Sequence, residues 1–83
     1  APRVLLPLYI AYLERYGLPR AREKAACAAA LEYLFHEFKK HRVRLSVIAR
    51  RNGVSVRLCR VMVRRMINAV RETEQNDEKE HVQ

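Results

Sequence analysis

Residues 45–64 largely determine the fold of this chain and read LSVIARRNGVSVRLCRVMVR. Asn52 and Gly53 lie between two apolar patterns, and both residue types tolerate the positive φ of a tight turn. Ser46 and Ser55 are good helix N-caps, so we expect a short helix over about 46–52 and a longer one over about 55–72. The apolar residues of the longer helix recur at spacings of three and four: Leu58, Cys59, Met62, Val63, Met66, Ile67 and Val70.

Two further helices are expected before this segment. The first runs from about Pro7 to Tyr16 and ends at Gly17. The second runs from about Arg20 to about His41, and the small side chains of residues 25–30 allow another helix to approach closely. Residues 73–83 are polar and have nothing to bury, which predicts a flexible acidic tail. The sequence thus predicts an all-α fold, a bundle of about four helices in one domain over 1–72.

Composition argues against several classes of protein. The chain has 83 residues with two glycines and three prolines, too few for the many turns of an all-β fold. Its two glycines stand alone, which excludes glycine-rich phosphate-binding loops. Hydroxyl side chains are scarce and Asp77 is the single aspartate, so no nucleophile, base and orienting group can be assembled. We therefore expect a binding protein and not an enzyme.

The basic residues are concentrated in one segment. The chain has 17 Lys and Arg against 9 Asp and Glu, a formal net charge of +8. Residues 38–71 contain two lysines and nine arginines and no acidic residue. The solvated face of an ordinary helix mixes both signs of charge, because opposite charges four residues apart attract. This segment therefore indicates a polyanionic partner, and nucleic acid fits that description best.

Residues 45–64 resemble the DNA-binding helix-turn-helix family, with the unit spanning about 45–65. In that family a small residue precedes the turn glycine by four positions, as Ala49 precedes Gly53. The apolar and inward positions of the family fall on Ile48, Val54, Cys59 and Met62. Asn52 departs from the pattern, since the family usually has an apolar residue there. The order of elements is also similar to the last part of a cyclin-type repeat of transcription factor B proteins.

This resemblance implies that the second helix of the unit enters the major groove of DNA. At about 100° per residue, one arc of about 80° on that helix holds Arg57, Arg60, Arg64, Asn68 and Arg71. The predicted base-reading residues are Ser55, Val56, Arg57, Arg60, Val61 and Arg64. The predicted phosphate contacts are Lys39, Lys40, Arg42, Arg44, Arg50, Arg51, Arg65, Asn68 and Arg71.

The sequence therefore predicts a double-stranded DNA-binding protein that acts in transcription regulation. An alternative is a protein-interaction module whose basic face docks an acidic partner in a transcription or replication complex. A third reading is an RNA-binding protein, although the aromatic residues that would stack on bases lie outside the basic segment.

The sequence predicts no metal site and no cofactor. Cys27 and Cys59 are far apart and read as small buried residues. His36 and His41 are five residues apart, a spacing that does not stack two side chains on one helical face.

The apolar residues at the start of the chain suggest a protein interface. Residues 4–13 form a stretch too short to cross a membrane, and they lack the features of a signal peptide. The first helix is apolar on nearly all sides, which a small domain cannot bury, so we expect a homodimer formed through the first two helices. The predicted location is intracellular and nucleoid-associated, in prokaryotic cytoplasm or in a nucleus.

Overall fold

A computed structural model describes the backbone of residues 5–82 and the side chains of residues 5–73. Its four helices are α1 (Leu5–Tyr16), α2 (Ala21–Phe38), α3 (Leu45–Arg51) and α4 (Val56–Val82). The described backbone contains no strand, and the predicted all-α bundle is confirmed. Both α1 and α2 pack along α4, and the short α3 contacts α2 and α4.

The helix boundaries follow local signals with three differences from the sequence-based predictions. α2 ends at Phe38, short of His41, because Lys40 adopts a left-handed conformation with φ 59°. The prediction of Ser46 as an N-cap was wrong, because α3 begins one residue earlier and Arg44 occupies the cap position without a side-chain hydrogen bond. The helical backbone of α4 continues beyond 72 to Val82, over a sequence free of Gly and Pro. The predicted flexible tail, 73–83, lies almost wholly outside the described side chains.

The main core lies where α1 and α2 cross α4. The buried residues of this cluster are Tyr12, Ala26, Cys27, Ala30, Met62 and Met66. Ala26 and Ala30 are fully buried, which confirms that the small residues of α2 form a packing centre. The Met62 Sδ atom lies 3.6 Å from the Tyr12 hydroxyl and 3.7 Å from the Cys27 Sγ, and both groups donate to it. Met62 therefore joins all three long helices at one point.

A second cluster fixes α3 against α2 and α4. Its buried members are Ala29, Ile48, Ala49 and Cys59. Ala49 is fully buried, as expected for the small residue over which the following helix crosses. The turn after α3 uses Gly53 at φ 68°, and α4 is capped by the Ser55 Oγ, which accepts a hydrogen bond from the Leu58 N–H at 3.1 Å. The predictions for Gly53, Ser55 and the buried cysteines are confirmed.

Candidate nucleic-acid interface

The arginines predicted to share one face of α4 are all exposed in the structure. Arg57, Arg60 and Arg64 occupy its first three turns, and Arg71 continues the row beyond the exposed Asn68. Met62 and Met66 of the same helix are fully buried on the opposite side. The amphipathic pattern of α4 therefore divides the helix into a core face and a basic face.

A groove beside α4 brings residues from different parts of the sequence together. The connection between α2 and α3 lies along the first half of α4, and the groove between them has a volume of about 1010 Å³. Its cationic lining comes from Lys40, Arg42, Arg44, Arg60 and Arg64. Three residues predicted to read bases, Val56, Arg60 and Arg64, and three predicted to bind phosphates line this one site.

The charge of this groove is strongly unbalanced. Five cationic side chains line it against one carboxylate, that of Glu37. Within residues 5–73, no carboxylate lies within ion-pair distance of any of the five cations. Repulsion among five unpaired cations is relieved when an anion enters, so the groove is suited to a polyanion.

Sequence analysis did not predict Tyr33 and Glu37 as part of this site, although both line the groove. Both lie on the last two turns of α2, outside the basic segment, and the α2–α3 connection folds back beside them. Burial raises the pKa of the Tyr33 phenol, and the adjacent Glu37 carboxylate raises it further. Both residues reach the groove only because α2 packs against α4, and no pattern of neighbouring residues in the sequence could have indicated this.

Two arginines predicted to bind phosphates form ion pairs with glutamates of α2. Arg51 pairs with Glu32 of α2 at 2.8 Å. Arg65 is turned toward α1 and α2, where it lies 3.4 Å from the Glu23 carboxylate and 5.4 Å from the centre of the Tyr16 ring. Neither arginine lines the groove, so we leave both out of the candidate interface.

Asn52 departs from the helix-turn-helix pattern, and the structure gives the reason. Its side-chain amide donates to the Glu32 carboxylate at 3.2 Å and to the Ile48 carbonyl at 2.8 Å. Glu32 also accepts from Arg51. The polar Asn52 therefore joins the turn between α3 and α4 to α2 by hydrogen bonds. An apolar residue at this position could make only packing contacts.

Two of the predicted base-reading residues have structural tasks. Val56 is half-buried and packs on the cluster that contains Ile48 and Cys59. The Ser55 hydroxyl is the helix cap of α4. Val61 remains exposed beside the arginine row. Lys39 and Arg50 are exposed as well, although they do not line the groove.

Comparisons with known proteins give no match to a family, a curated protein or a solved structure. Among the described residues, no helix has both the length and the apolar character needed to cross a membrane. The candidate interface consequently has to be interpreted from its own geometry and charge.

Proposed function

We propose that this protein binds double-stranded DNA through the unit formed by α3, the turn and α4, and that it acts in transcription regulation. The observation that carries the proposal is the cationic groove, in which five basic side chains from α4 and the α2–α3 connection lie together without a paired carboxylate from residues 5–73. Duplex DNA presents a regular line of phosphates, and arginine forms bidentate hydrogen bonds both to phosphates and to guanine edges.

The proposed contacts come from α4, where Arg57 precedes the groove, and from the α2–α3 connection. Arg57, Arg60 and Arg64 lie on the first turns of α4 and would face base edges in the major groove of DNA. Arg42 and Arg44 lie on the α2–α3 connection and would bind the flanking phosphates. The buried Ile48, Ala49 and Cys59 hold these two parts in a fixed relation, which limits the entropy lost on binding.

The salt dependence of duplex binding tests this function directly. Fluorescence anisotropy with labelled duplexes should show an affinity that falls steeply with salt, with a slope that implies about five or more phosphate contacts. Arg42→Ala should lower that slope by about one contact. Arg15→Ala is the matched control, because Arg15 pairs with Glu72 at 2.7 Å on the α1 side of α4. Absence of duplex binding at low salt, or equal slopes for the two variants, would contradict the proposal.

We also propose that two copies associate through α1 and α2. α1 exposes Leu6 and Ile10, and the connection after it exposes Leu18, whose exposed fraction is 83%. Four basic and four acidic side chains occur within residues 5–37, so this part of the chain is electrically balanced. Two copies can therefore approach here without bringing their basic segments into contact.

Sedimentation velocity at tens of micromolar protein tests the dimer. We expect twice the chain mass of 9.8 kDa, and Ile10→Glu should give the monomer because it places a charge in the apolar contact. Val47→Glu is the control, since Val47 is similarly exposed but lies on α3. A monomeric parent protein, or dissociation of both variants alike, would exclude this interface.

The second candidate function is the docking of an acidic protein partner. The observation that favours it is the apolar part of the groove, lined by Val43, Leu45, Val56 and Val63. An acidic segment with apolar side chains would find both charge and apolar contacts there. The duplex experiment separates the two functions, since this candidate requires no affinity for DNA.

A further inference from the structure

The C-terminus of α2 has an unusual ending. Lys40, with φ 59°, occupies the left-handed position that glycine usually takes after a helix. The Lys40 N–H donates to the Glu37 carbonyl at 3.0 Å, and the His41 N–H donates to the His36 carbonyl at 2.8 Å. These two bonds form a Schellman motif, so the backbone fixes the position of His41 relative to His36.

The two imidazole rings meet across this motif. Their centres are 5.4 Å apart, and the two Nδ1 atoms are separated by 3.1 Å. Residues five apart on a continuous helix point in different directions, and only the left-handed turn at Lys40 brings these rings together. A Schellman motif usually has an apolar contact at these positions, where this chain has two nitrogen ligands.

A carboxylate lies behind one of the rings. Glu32 Oε2 faces the Nε2 atom of His36 at 3.9 Å, on the side of the ring remote from His41. Glu32 is in turn held by Arg51 at 2.8 Å and by Asn52 at 3.2 Å. At 3.9 Å the carboxylate is beyond hydrogen-bond distance, and a small rotation of either side chain would let it accept a hydrogen bond from Nε2, with Nδ1 then facing an ion. Metal-ligating histidines commonly have this support.

We propose that His36 and His41 form a two-imidazole binding site for a divalent transition-metal ion, with Glu32 orienting the His36 ring. Metal–imidazole bonds measure about 2.0–2.1 Å, which sets the two nitrogens about 2.9 Å apart at right angles and about 3.3 Å apart in a tetrahedron. The observed 3.1 Å lies between these values. An ion can therefore bind between the two Nδ1 atoms after a small rotation of the exposed His41.

Nitrogen ligands and an open site define the class of ion. Imidazole suits nickel, copper and zinc, whereas magnesium and calcium prefer oxygen ligands. No group of three or more potential ligand side chains gathers within the described part of the chain, so water completes the coordination. Lys40 and Arg42 adjoin His41 and oppose a cation, while the Glu37 carboxylate of the same groove offsets part of this charge. This proposal departs from the sequence-based expectation of no metal site, which stays a prediction.

Nickel titration of the chelator-treated full chain tests the proposal, with Ni²⁺ alone as the probe. Isothermal calorimetry should give one ion per chain, and His41→Gln should weaken binding by about tenfold or more. His81→Gln is the matched control, because His81 is the one other histidine of the chain and should leave the affinity unchanged.

Nuclear magnetic resonance supplies a second readout that does not depend on a variant. Paramagnetic Ni²⁺ should broaden the ring signals of His36 and His41 at substoichiometric metal, before those of His81. Binding that survives His41→Gln, binding lost equally in His81→Gln, or broadening of His81 first would overturn the site. None of these results depends on DNA binding, so the metal site and the proposed function can fail separately.

Discussion

Charge reversal at two arginines of the groove is expected to weaken duplex binding more than any other substitution of exposed residues. Arg60→Glu combined with Arg64→Glu removes two proposed base contacts, each worth about 1–3 kcal/mol, and places two carboxylates beside the phosphates. Affinity should fall by at least about 100-fold, and the salt slope should also fall, because the two new carboxylates repel the phosphates near the groove. Fluorescence anisotropy with the duplexes used for the parent protein measures both quantities.

The matched control for this double variant changes the net charge equally at another place. Arg22 and Lys24 are exposed near the start of α2, and their replacement by Glu also lowers the net charge by four. This control should retain most of the affinity, apart from a weak long-range effect. Equal losses in the two double variants would mean that net charge alone drives binding, and the proposed interface would then be wrong. Both are substitutions of exposed residues, so stability should change by about 0.5 kcal/mol per site or less.

Met62→Ala is expected to have the largest effect on stability. Met62 is fully buried at the point where α1, α2 and α4 meet, and its sulfur accepts from the Tyr12 hydroxyl and the Cys27 thiol. Truncation leaves a cavity and two donors without their acceptor, at a cost of about 2–5 kcal/mol. A small domain has a total stability of about 0.05–0.15 kcal/mol per residue, so this loss removes a large part of it. Urea unfolding should show a lower midpoint with an unchanged slope.

Val61→Ala is the control for this prediction. Val61 precedes Met62 on α4, but it lies on the outer face with an exposed fraction of 37%. Its truncation should lower the free energy of unfolding by less than about 1 kcal/mol, because water fills the space at an exposed position and no cavity remains. Similar losses at both positions would contradict the packing of α4 described above.

The short-range features of the fold could be predicted from the sequence because each depends on a few neighbouring residues. Gly53 has the positive φ expected of a turn, and Ser55 caps α4 as predicted. The predicted ends of α2 and α3 were less accurate. α2 ends at a left-handed residue that is usually glycine, and because this chain has Lys40 there, the residue type did not indicate the helix end. The start of α3 was not indicated either, since no side chain caps it.

The candidate site was predicted in part. Arg57, Arg60 and Arg64 share an exposed face, as the helical period of 3.6 residues requires. Arg65 lies only one position farther along, but the Glu23 carboxylate and the Tyr16 ring draw it toward the core side. Glu23 is 42 residues away in sequence, so no local pattern could have indicated this pairing.

The sequence by itself determined the helical class, the position of the turn, the core face of α4 and the concentration of basic residues in 38–71. These follow from residue type and spacing, which act over one or two helical turns. Only the tertiary structure decided which arginines are paired, that Tyr33 lines the groove, and that the rings of His36 and His41 meet. The physical reason is that side-chain contacts depend on how helices distant in sequence pack, and that packing is set by the shapes of buried residues such as Ala29, Ala30 and Met62.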